Sequence, residues 1–319
     1  MKSAIPVFLI TGFLGSGKTS LLNSLLRQLA GKRVALVLND FGQIGVDSAL
    51  VPLQDGILTQ ELKGGQIFCS CLSGSFVETI LRFEAYQPDL VLVEASGLSK
   101  PSPLLEIVTW IQNRSLHRFS YRGMICVVDA QRYLPLSKAL MTLEEQVVFS
   151  DLFILNKTDL VDEATLSQVE NALLTLQPQA RVIHSTYGEV PVSILDIQAD
   201  PLRTISVAKE EYQGWGTFGR PSTSIFLPDQ ATTAIQIEQL LQSIAHRFYR
   251  IKGFLPTRPG WQVFVSTVGP QIEIREQACP VKSPSYGLVC IHRADISAKA
   301  ILADTWHSQT GYTARIITN

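Results

Sequence analysis

The chain has 319 residues, a length that corresponds to two or three domains. Hydrophobic residues make up 46% of it and charged residues 17%, so the chain can bury a large core and intrinsic disorder is excluded. The 27 Lys and Arg residues nearly balance the 28 Asp and Glu residues, for a formal net charge of −1. Such a charge gives no general attraction to nucleic acid or to an anionic membrane surface, so we expect neither as a partner.

The cysteine count and the hydropathy indicate the compartment. Five cysteines in so long a chain do not resemble a disulfide framework, which indicates a reducing environment. No run approaches the roughly 18 apolar residues that a membrane-spanning helix needs. Residues 1–10 look superficially like a signal peptide, but they lack a small-residue cleavage site and lead directly into a glycine-rich loop. We therefore expect a buried strand there and a cytoplasmic protein.

Short apolar runs alternate with amphipathic stretches over the first two hundred residues. Runs without polar alternation are typical of parallel strands that are buried on both faces. The predicted strands are residues 7–11, 34–39, 90–94, 124–129, 151–156 and 181–185. Apolar residues at helical spacing predict helices over 18–29 and 165–176. This alternation predicts an α/β fold with a doubly wound, mainly parallel sheet.

The pattern changes near residue 206. Residues 213–221 contain three glycines and a proline, which predicts a linker or hinge. Farther along, a helical stripe follows Ile237, alternating strands surround Trp261 and Ile272, and a further strand and helix are expected over 287–292 and 295–310. The expected domains are an α/β domain over 1–207, a Gly/Pro-rich linker over 208–222 and a smaller α+β domain over 223–319.

A glycine-rich loop follows the first predicted strand and precedes the first predicted helix. Residues 12–19, G-F-L-G-S-G-K-T, match G-x-x-x-x-G-K-[ST], whose backbone N–H groups converge on phosphates. Lys18 is expected to bridge the β- and γ-phosphates, and the Thr19 hydroxyl to ligate Mg²⁺. The alternative, a plain glycine turn, does not explain why the loop lies between a strand and a helix. The predicted phosphate-binding residues are Gly12, Gly15, Ser16, Gly17, Lys18, Thr19 and Ser20.

The segment N-K-T-D at residues 156–159 follows a predicted strand and indicates guanine recognition. The Asp159 carboxylate can accept hydrogen bonds from the ring N–H and the exocyclic amine of guanine, whereas adenine would leave it unpaired. Lys157 is expected to lie along the base, and Asn156 to tie this loop to the phosphate loop. Thr186, in the segment that ends the last strand, is expected to bring backbone amides to the guanine carbonyl. The alternative for N-K-T-D is a solvated turn.

Acidic residues at other strand ends are candidates for catalysis and for the magnesium shell. Glu94 is expected to hold Mg²⁺ or orient the attacking water, and the Gly97 N–H to sense the γ-phosphate. Asp40 is a further catalytic candidate, together with Lys18. Asp47 is a candidate Mg²⁺ ligand beside Thr19 and Glu94, or else a solvated loop acid. Because no water-positioning Gln and no arginine finger is identifiable, we expect slow hydrolysis.

These motifs, in this order, resemble the metal-trafficking P-loop GTPases of the CobW/HypB/UreG type, and among them the CobW-like branch. At Asp40 that family usually has Glu. The resemblance implies a P-loop domain followed by a CobW C-terminal domain, GTP hydrolysis, and delivery of a metal, commonly Zn²⁺ or Co²⁺, to a client metalloprotein or cofactor-pathway enzyme. The matching segments are residues 10–23, 39–47, 94–98 and 156–160, and the R-x-K-G signature within 249–254.

The chain departs from the family at the metal motif G-C-x-C-C, where it has G-Q-I-F-C-S-C. Gln66 and Phe68 replace two of the three cysteines, Cys69 keeps the third, and Cys71 lies two residues beyond. Two thiolates need two more ligands to complete a tetrahedral site. Two interpretations stay open: a remodelled Zn²⁺ or Co²⁺ site at these cysteines, or two partly buried cysteines that hold no metal.

The expected function is therefore Mg²⁺-dependent GTP binding and slow hydrolysis by a metal-delivery chaperone or cofactor-insertion factor. The alternative is a GTP-dependent regulatory or assembly partner that carries no metal. A nucleotide kinase is disfavoured because the N-K-T-D segment recognises the base and no acceptor site is apparent. A second copy of the chain is a candidate partner beside the client. We expect the C-x-C loop to respond to the nucleotide, since it lies between the two switch segments.

Overall fold

The structure is a computed structural model, and the chain divides into two compact units. It describes residues 4–40, 56–63, 73–97, 118–137, 141–198, 222–268, 270–279, 286–293 and 295–318, with residues 101, 108, 111, 112 and 115. Asp47, Cys69 and Cys71 lie outside the described residues, as do residues 208–221 of the expected linker, whose last residue, Ser222, is described. Within the described part of the chain, no helix is long and apolar enough to cross a membrane.

The first unit is built on a seven-stranded sheet in which every pairing is parallel. Its strands are β1 Ile5–Thr11, β2 Val34–Asp40, β3 Ile57–Lys63, β4 Leu90–Glu94, β5 Phe119–Asp129, β6 Leu152–Asn156 and β7 Arg181–His184. The strand order is β3-β2-β4-β1-β5-β6-β7. This arrangement confirms the predicted α/β fold and places the ends of β1, β4, β5 and β6 side by side.

Helices cover both faces of this sheet, because the strands are apolar on both faces. The helices are α1 Lys18–Gln28, α2 Ser73–Tyr86, α3 Tyr133–Ser137, α4 Met141–Val148 and α5 Glu163–Leu176. In β1, Phe8 and Ile10 belong to the core cluster that holds the leucines of α1, whereas Val7 and Leu9 belong to the cluster of α2. The unbroken apolar run of β1 is thus a strand between two helical layers.

Some elements of the first unit differ from the sequence prediction. The strand β3 and the helix α2 were not predicted, and β5 begins at Phe119 rather than near 124. Val7 of β1 pairs with Tyr121 of β5, and Phe8 of β1 pairs with Gly123 of β5, so the β5 residue between Tyr121 and Gly123 forms a bulge. Such a bulge interrupts the period-two pattern and hides the first half of the strand from sequence analysis.

The second unit is a six-stranded antiparallel sheet in the order β11-β10-β9-β12-β8-β13. Its strands are β8 Ser222–Pro228, β9 Arg250–Arg258, β10 Trp261–Val268, β11 Gln271–Ala278, β12 Gly287–His292 and β13 Ala314–Thr318, and its helices are α6 Ala234–Ile244 and α7 Ala298–Thr310. Both helices join one core cluster with β8, β9, β10 and β12. This is the predicted α+β fold, although β8, β9 and β13 were not predicted and α7 begins at Ala298 rather than 295.

Candidate functional site

The glycine-rich loop joins β1 to α1 in the middle of the parallel sheet. Gly12 and Gly17 have φ values of 133° and 108°, which L side chains rarely adopt. A Cβ atom at Gly12 would overlap the Val127 carbonyl oxygen, and one at Gly17 would overlap the Asn156 amide. The backbone therefore passes so close to its neighbours that only glycine fits. The result is a backbone cradle that opens towards the N-terminus of α1, which favours an anion.

Two polar side chains lie buried in this cradle. Lys18 is buried, and its Nζ donates to the carbonyl oxygens of Gly12 at 2.8 Å and Phe13 at 3.3 Å. The Ser16 hydroxyl is buried and has no hydrogen-bond partner among the described residues. Thr19 is half-buried and Ser20 exposed in the first turn of α1. An ammonium and a buried hydroxyl beside convergent N–H groups fit a polyphosphate chain.

Asn156, at the end of β6, connects three loops of the site. Its buried side chain donates from Nδ2 to the Ser16 carbonyl oxygen at 2.8 Å. Its Oδ1 accepts a hydrogen bond from the Gly188 N–H at 2.9 Å. Because β6 itself leads into the N-K-T-D segment, one amide fixes the phosphate loop, the base loop and the loop after β7 relative to each other.

The base loop is held in a defined conformation. Lys157 has a left-handed backbone with φ of 63°, and residues Thr158–Leu160 form a 3₁₀ turn. The Thr158 hydroxyl donates to the Ser185 carbonyl oxygen at 3.2 Å and lies 3.4 Å from the Thr186 hydroxyl. Asp159 is exposed at the loop surface. This geometry leaves the Asp159 carboxylate open to accept from a base, beside the segment that contains Thr186.

Asp129, at the end of β5, is a site residue that sequence analysis missed. Its Oδ2 accepts from the Lys157 ammonium at 2.6 Å, and its Oδ1 accepts from the backbone N–H groups of Gln131 and Arg132 at 3.0 and 3.2 Å. The sequence did contain a signal for this role, because Asp129 is an acidic residue at the end of the apolar predicted strand 124–129. The ion pair fixes the direction of the Lys157 side chain.

The segment after β4 contacts the phosphate loop from the other side. β4 pairs with β1, with Glu94 opposite Ile10, and Glu94 is buried at the strand end. A Cβ atom at Gly97 would lie 2.8 Å from the Leu14 backbone nitrogen, so Gly97 packs directly on the loop. Its carbonyl oxygen accepts from Gln146 Nε2 of α4 at 3.2 Å. The structure thus brings Glu94 and Gly97 to the edge that carries Lys18 and Thr19.

The four remaining candidates lie at the end of a described segment or outside the described residues. Asp40 ends β2, whose neighbour in the sheet is β4, with Leu38 opposite Glu94. That pairing places the backbone of Asp40 at the same edge of the sheet. Asp47, Cys69 and Cys71 lie outside the described residues. Among the residues that are described, no three His, Cys, Asp or Glu side chains form a group that could hold a metal ion.

A buried thiol lies beneath the phosphate loop but is not a nucleophile. Cys126, in β5, pairs with Thr11 and is almost completely buried. Burial raises the pKa of the Cys126 thiol to about 12, although the positive charge of Lys18 acts in the opposite direction. The thiol is therefore protonated at neutral pH and serves as a small apolar core residue.

The chain is similar in sequence to a family model and to several known proteins. Residues 6–184 match the family model described as CobW/HypB/UreG, nucleotide-binding domain. The zinc chaperone CobW of Sinorhizobium sp is 29% identical over 315 residues, which cover 85% of this chain and 87% of that protein. The zinc-regulated GTPase metalloprotein activator 1 of Dictyostelium discoideum is 28% identical over 247 residues, or 66% of this chain and 51% of that protein. The crystal structure of the Zn(II)-bound YjiA GTPase from E. coli is 19% identical, covers 97% of this chain and 99% of that one, and has a TM-score of 0.48.

Proposed function

Because the chain belongs to the CobW/HypB/UreG family and is one of its P-loop GTPases, we propose that it couples GTP binding and slow, Mg²⁺-dependent hydrolysis to the delivery of a metal ion to a client protein. The observation that carries the nucleotide part is the cradle of Gly12 to Lys18, which Asn156 locks to the base loop. Relatives named as a zinc chaperone and a zinc-regulated metalloprotein activator support the delivery part.

The phosphate loop acts by charge and by its preformed shape. Backbone N–H groups and the Lys18 ammonium surround the β- and γ-phosphates, and the ammonium exchanges its carbonyl partners for phosphate oxygens. The N-terminus of α1 adds a positive dipole at the same place. Since the loop is already curled in this conformation, little reorganisation is needed when the nucleotide binds.

The oxygen-bearing side chains at the same edge fit a magnesium ion. Thr19 is half-buried at the start of α1, and Glu94 is buried at the end of the adjacent strand. Hydroxyl and carboxylate oxygens are ligands that Mg²⁺ prefers. We propose Thr19, Glu94 and Asp47 as its holders, with Asp40 close to them. The ion would neutralise charge on the phosphates when bound, and Glu94 would orient the attacking water.

Base selection rests on Asp159. Its exposed carboxylate accepts from the N1–H and the exocyclic amine of guanine, while Lys157, held by Asp129, lies along the ring. Thr186 belongs to the segment whose backbone N–H groups face the guanine carbonyl. Adenine would leave the carboxylate with no donor, which is a costly mismatch.

Asp159→Asn tests this part of the proposal. An asparagine can still accept from N1–H, but its amide donates where guanine also donates, so we expect GTP affinity to fall by about 100-fold or more. Xanthine carries a carbonyl at that position, so the variant is expected to gain affinity for XTP. Asp196→Asn, at an exposed position of the same unit, is the matched control. Unchanged GTP affinity in Asp159→Asn, or a loss of GTP binding with no gain in XTP affinity, would contradict the assigned role.

The metal part of the proposal concerns Cys69 and Cys71. We propose that this C-x-C pair holds Zn²⁺ or Co²⁺ as cargo in the GTP state, with further ligands from the client or a second subunit. The replacement of two family cysteines by Gln66 and Phe68 favours a second candidate, a GTP-dependent assembly partner that carries no metal. The two candidates differ in one measurable property, which is metal affinity.

A competition titration separates these two candidates. Zn²⁺ and Co²⁺ are titrated against a chromophoric chelator with the chain in its GDP form and then with a non-hydrolysable GTP analogue. The metal-delivery proposal predicts stoichiometric binding that depends on the nucleotide, is lost in Cys69→Ser and survives in Cys279→Ser, a half-buried cysteine of the second unit. Absence of competitive binding in both nucleotide states would leave the metal-free candidate.

A further inference from the structure

The turn after β7 places an exposed tyrosine beside the base loop. The Glu189 N–H bonds to the Thr186 carbonyl oxygen at 3.1 Å, which closes a four-residue turn. Its two central residues, Tyr187 and Gly188, have φ values of 55° and 75°. Such a turn favours glycine, asparagine or aspartate at both central positions, so a tyrosine at the first of them is an unfavourable choice for folding.

The fold gives no internal reason for the tyrosine. Its side chain is 77% exposed, and it makes no hydrogen bond, ion pair or ring contact with any residue that the structure describes. A strained residue that contributes nothing to packing points to a role in function. The question is which ligand the ring would contact.

The surroundings of the turn identify that ligand. On one side, the Gly188 N–H is bound to Asn156, the residue that begins the N-K-T-D segment. On the other side, the Ser185 carbonyl oxygen accepts from Thr158, within the same segment. The turn is thus anchored to the base loop through Ser185 and Gly188, and Gly188 packs against the Leu21 backbone of α1. The tyrosine projects from a fixed turn at the base-binding loop.

We infer that the Tyr187 ring stacks on the purine base of the bound nucleotide. The inference rests on the proposed GTP binding. It places the Tyr187 ring on one face of the base, while the Lys157 stem lies along the other face. Because every purine presents a π-face, this contact contributes affinity without discriminating between guanine and hypoxanthine. Discrimination stays with Asp159, so the two residues have separable effects.

The first test is Tyr187→Gly, measured by the dissociation constants of GDP and IDP. Glycine adopts the left-handed backbone without strain, so the thermal midpoint is expected to stay equal or rise. Loss of stacking is expected to weaken GDP and IDP binding by the same factor, about tenfold. Tyr187→Phe keeps a ring and is expected to bind both nucleotides like the unaltered chain. Val192→Ala, an exposed apolar position farther along the same segment, is the control.

The possible outcomes distinguish a failure of the stacking inference from a failure of the proposed GTP binding on which it rests. A stable Tyr187→Gly variant with weaker GDP and IDP binding, restored by phenylalanine, supports stacking. Unchanged GDP affinity in Tyr187→Gly, with the unaltered chain binding GDP, would overturn the stacking alone and direct attention to a protein partner at the turn. If the unaltered chain bound no guanine nucleotide, the proposed function would fail as well. A loss confined to GDP would also overturn the inference, since stacking does not distinguish the two bases.

Discussion

The motifs of the two units lie at different positions of their sheets. In the first unit they follow the carboxyl ends of parallel strands, where the polar side chains of Asn156 and Asp129 join separate loops. In the second unit the R-x-K-G signature lies inside β9, where Lys252 is buried and Gly253 faces β12. A motif at a strand end can bind a ligand, whereas a motif inside a paired strand serves first to build the sheet.

The largest expected effect is on the folding of the second unit. A Cβ atom at Gly253 would overlap the Gly287 carbonyl oxygen, which is backbone and cannot move aside without breaking the β9–β12 pairing. We expect Gly253→Ala to destabilise this unit by about 3 kcal/mol while GDP affinity stays close to its original value. Denaturant unfolding and a GDP titration measure the two quantities.

Gly260→Ala is the matched control for this variant. Gly260 lies in the turn between β9 and β10, and a Cβ atom there meets no heavy atom within 4 Å. Because the φ of Gly260 is 76°, an alanine there is strained, and we expect Gly260→Ala to lower the free energy of unfolding by only about 1 kcal/mol. A Gly253→Ala protein that is fully stable but has lost nucleotide binding would show that the signature acts on the ligand and not on the sheet.

A smaller effect, on both stability and binding, is expected at Asn156 of the first unit. Asn156→Ala removes the hydrogen bonds to the Ser16 carbonyl and the Gly188 N–H and leaves both groups buried without them. We expect a loss of about 2–3 kcal/mol in the free energy of unfolding, because each unsatisfied buried group is costly. GDP affinity should fall as well, since the phosphate and base loops lose their connection.

The control for Asn156→Ala is Asn171→Ala, at an exposed position on α5. It removes the same side chain where no loop depends on it and is expected to change stability by less than about 0.5 kcal/mol. Equal GDP affinity in Asn156→Ala and the unaltered chain would show that the loops keep their relative positions without the amide.

The sequence predicted the structure best where an apolar run of strand or helix periodicity is bounded by loop residues such as glycine. The six apolar runs became strands of the parallel sheet, and the phosphate loop lies between β1 and α1 as predicted. Two elements escaped prediction for different reasons. The edge strand β3 has three consecutive polar residues, Thr59–Glu61, and so lacks the apolar run of a buried strand. The bulge opposite Val7 and Phe8 interrupts the pattern in the first half of β5. Asp129 was missed because its role depends on the pairing of β5 with β6, and no spacing in the sequence encodes that pairing.

The smallest expected effect is that of Asp129→Asn. It tests whether a side chain at the end of a strand acts on the ligand rather than on the sheet. The Asp129→Asn side chain is the same size and can still accept from the Gln131 and Arg132 N–H groups, so these two hydrogen bonds are expected to remain. The charged contact with Lys157 is lost, and a hydrogen bond between two charged groups of this partly buried kind is worth about 1.5–3 kcal/mol. Part of that energy holds the Lys157 stem in place, so we expect GDP affinity to fall by about tenfold. Asp196→Asn removes the same charge at an exposed position and should leave GDP affinity unchanged; a drop of equal size in both variants would mean that net charge, and not the direction of Lys157, determines binding.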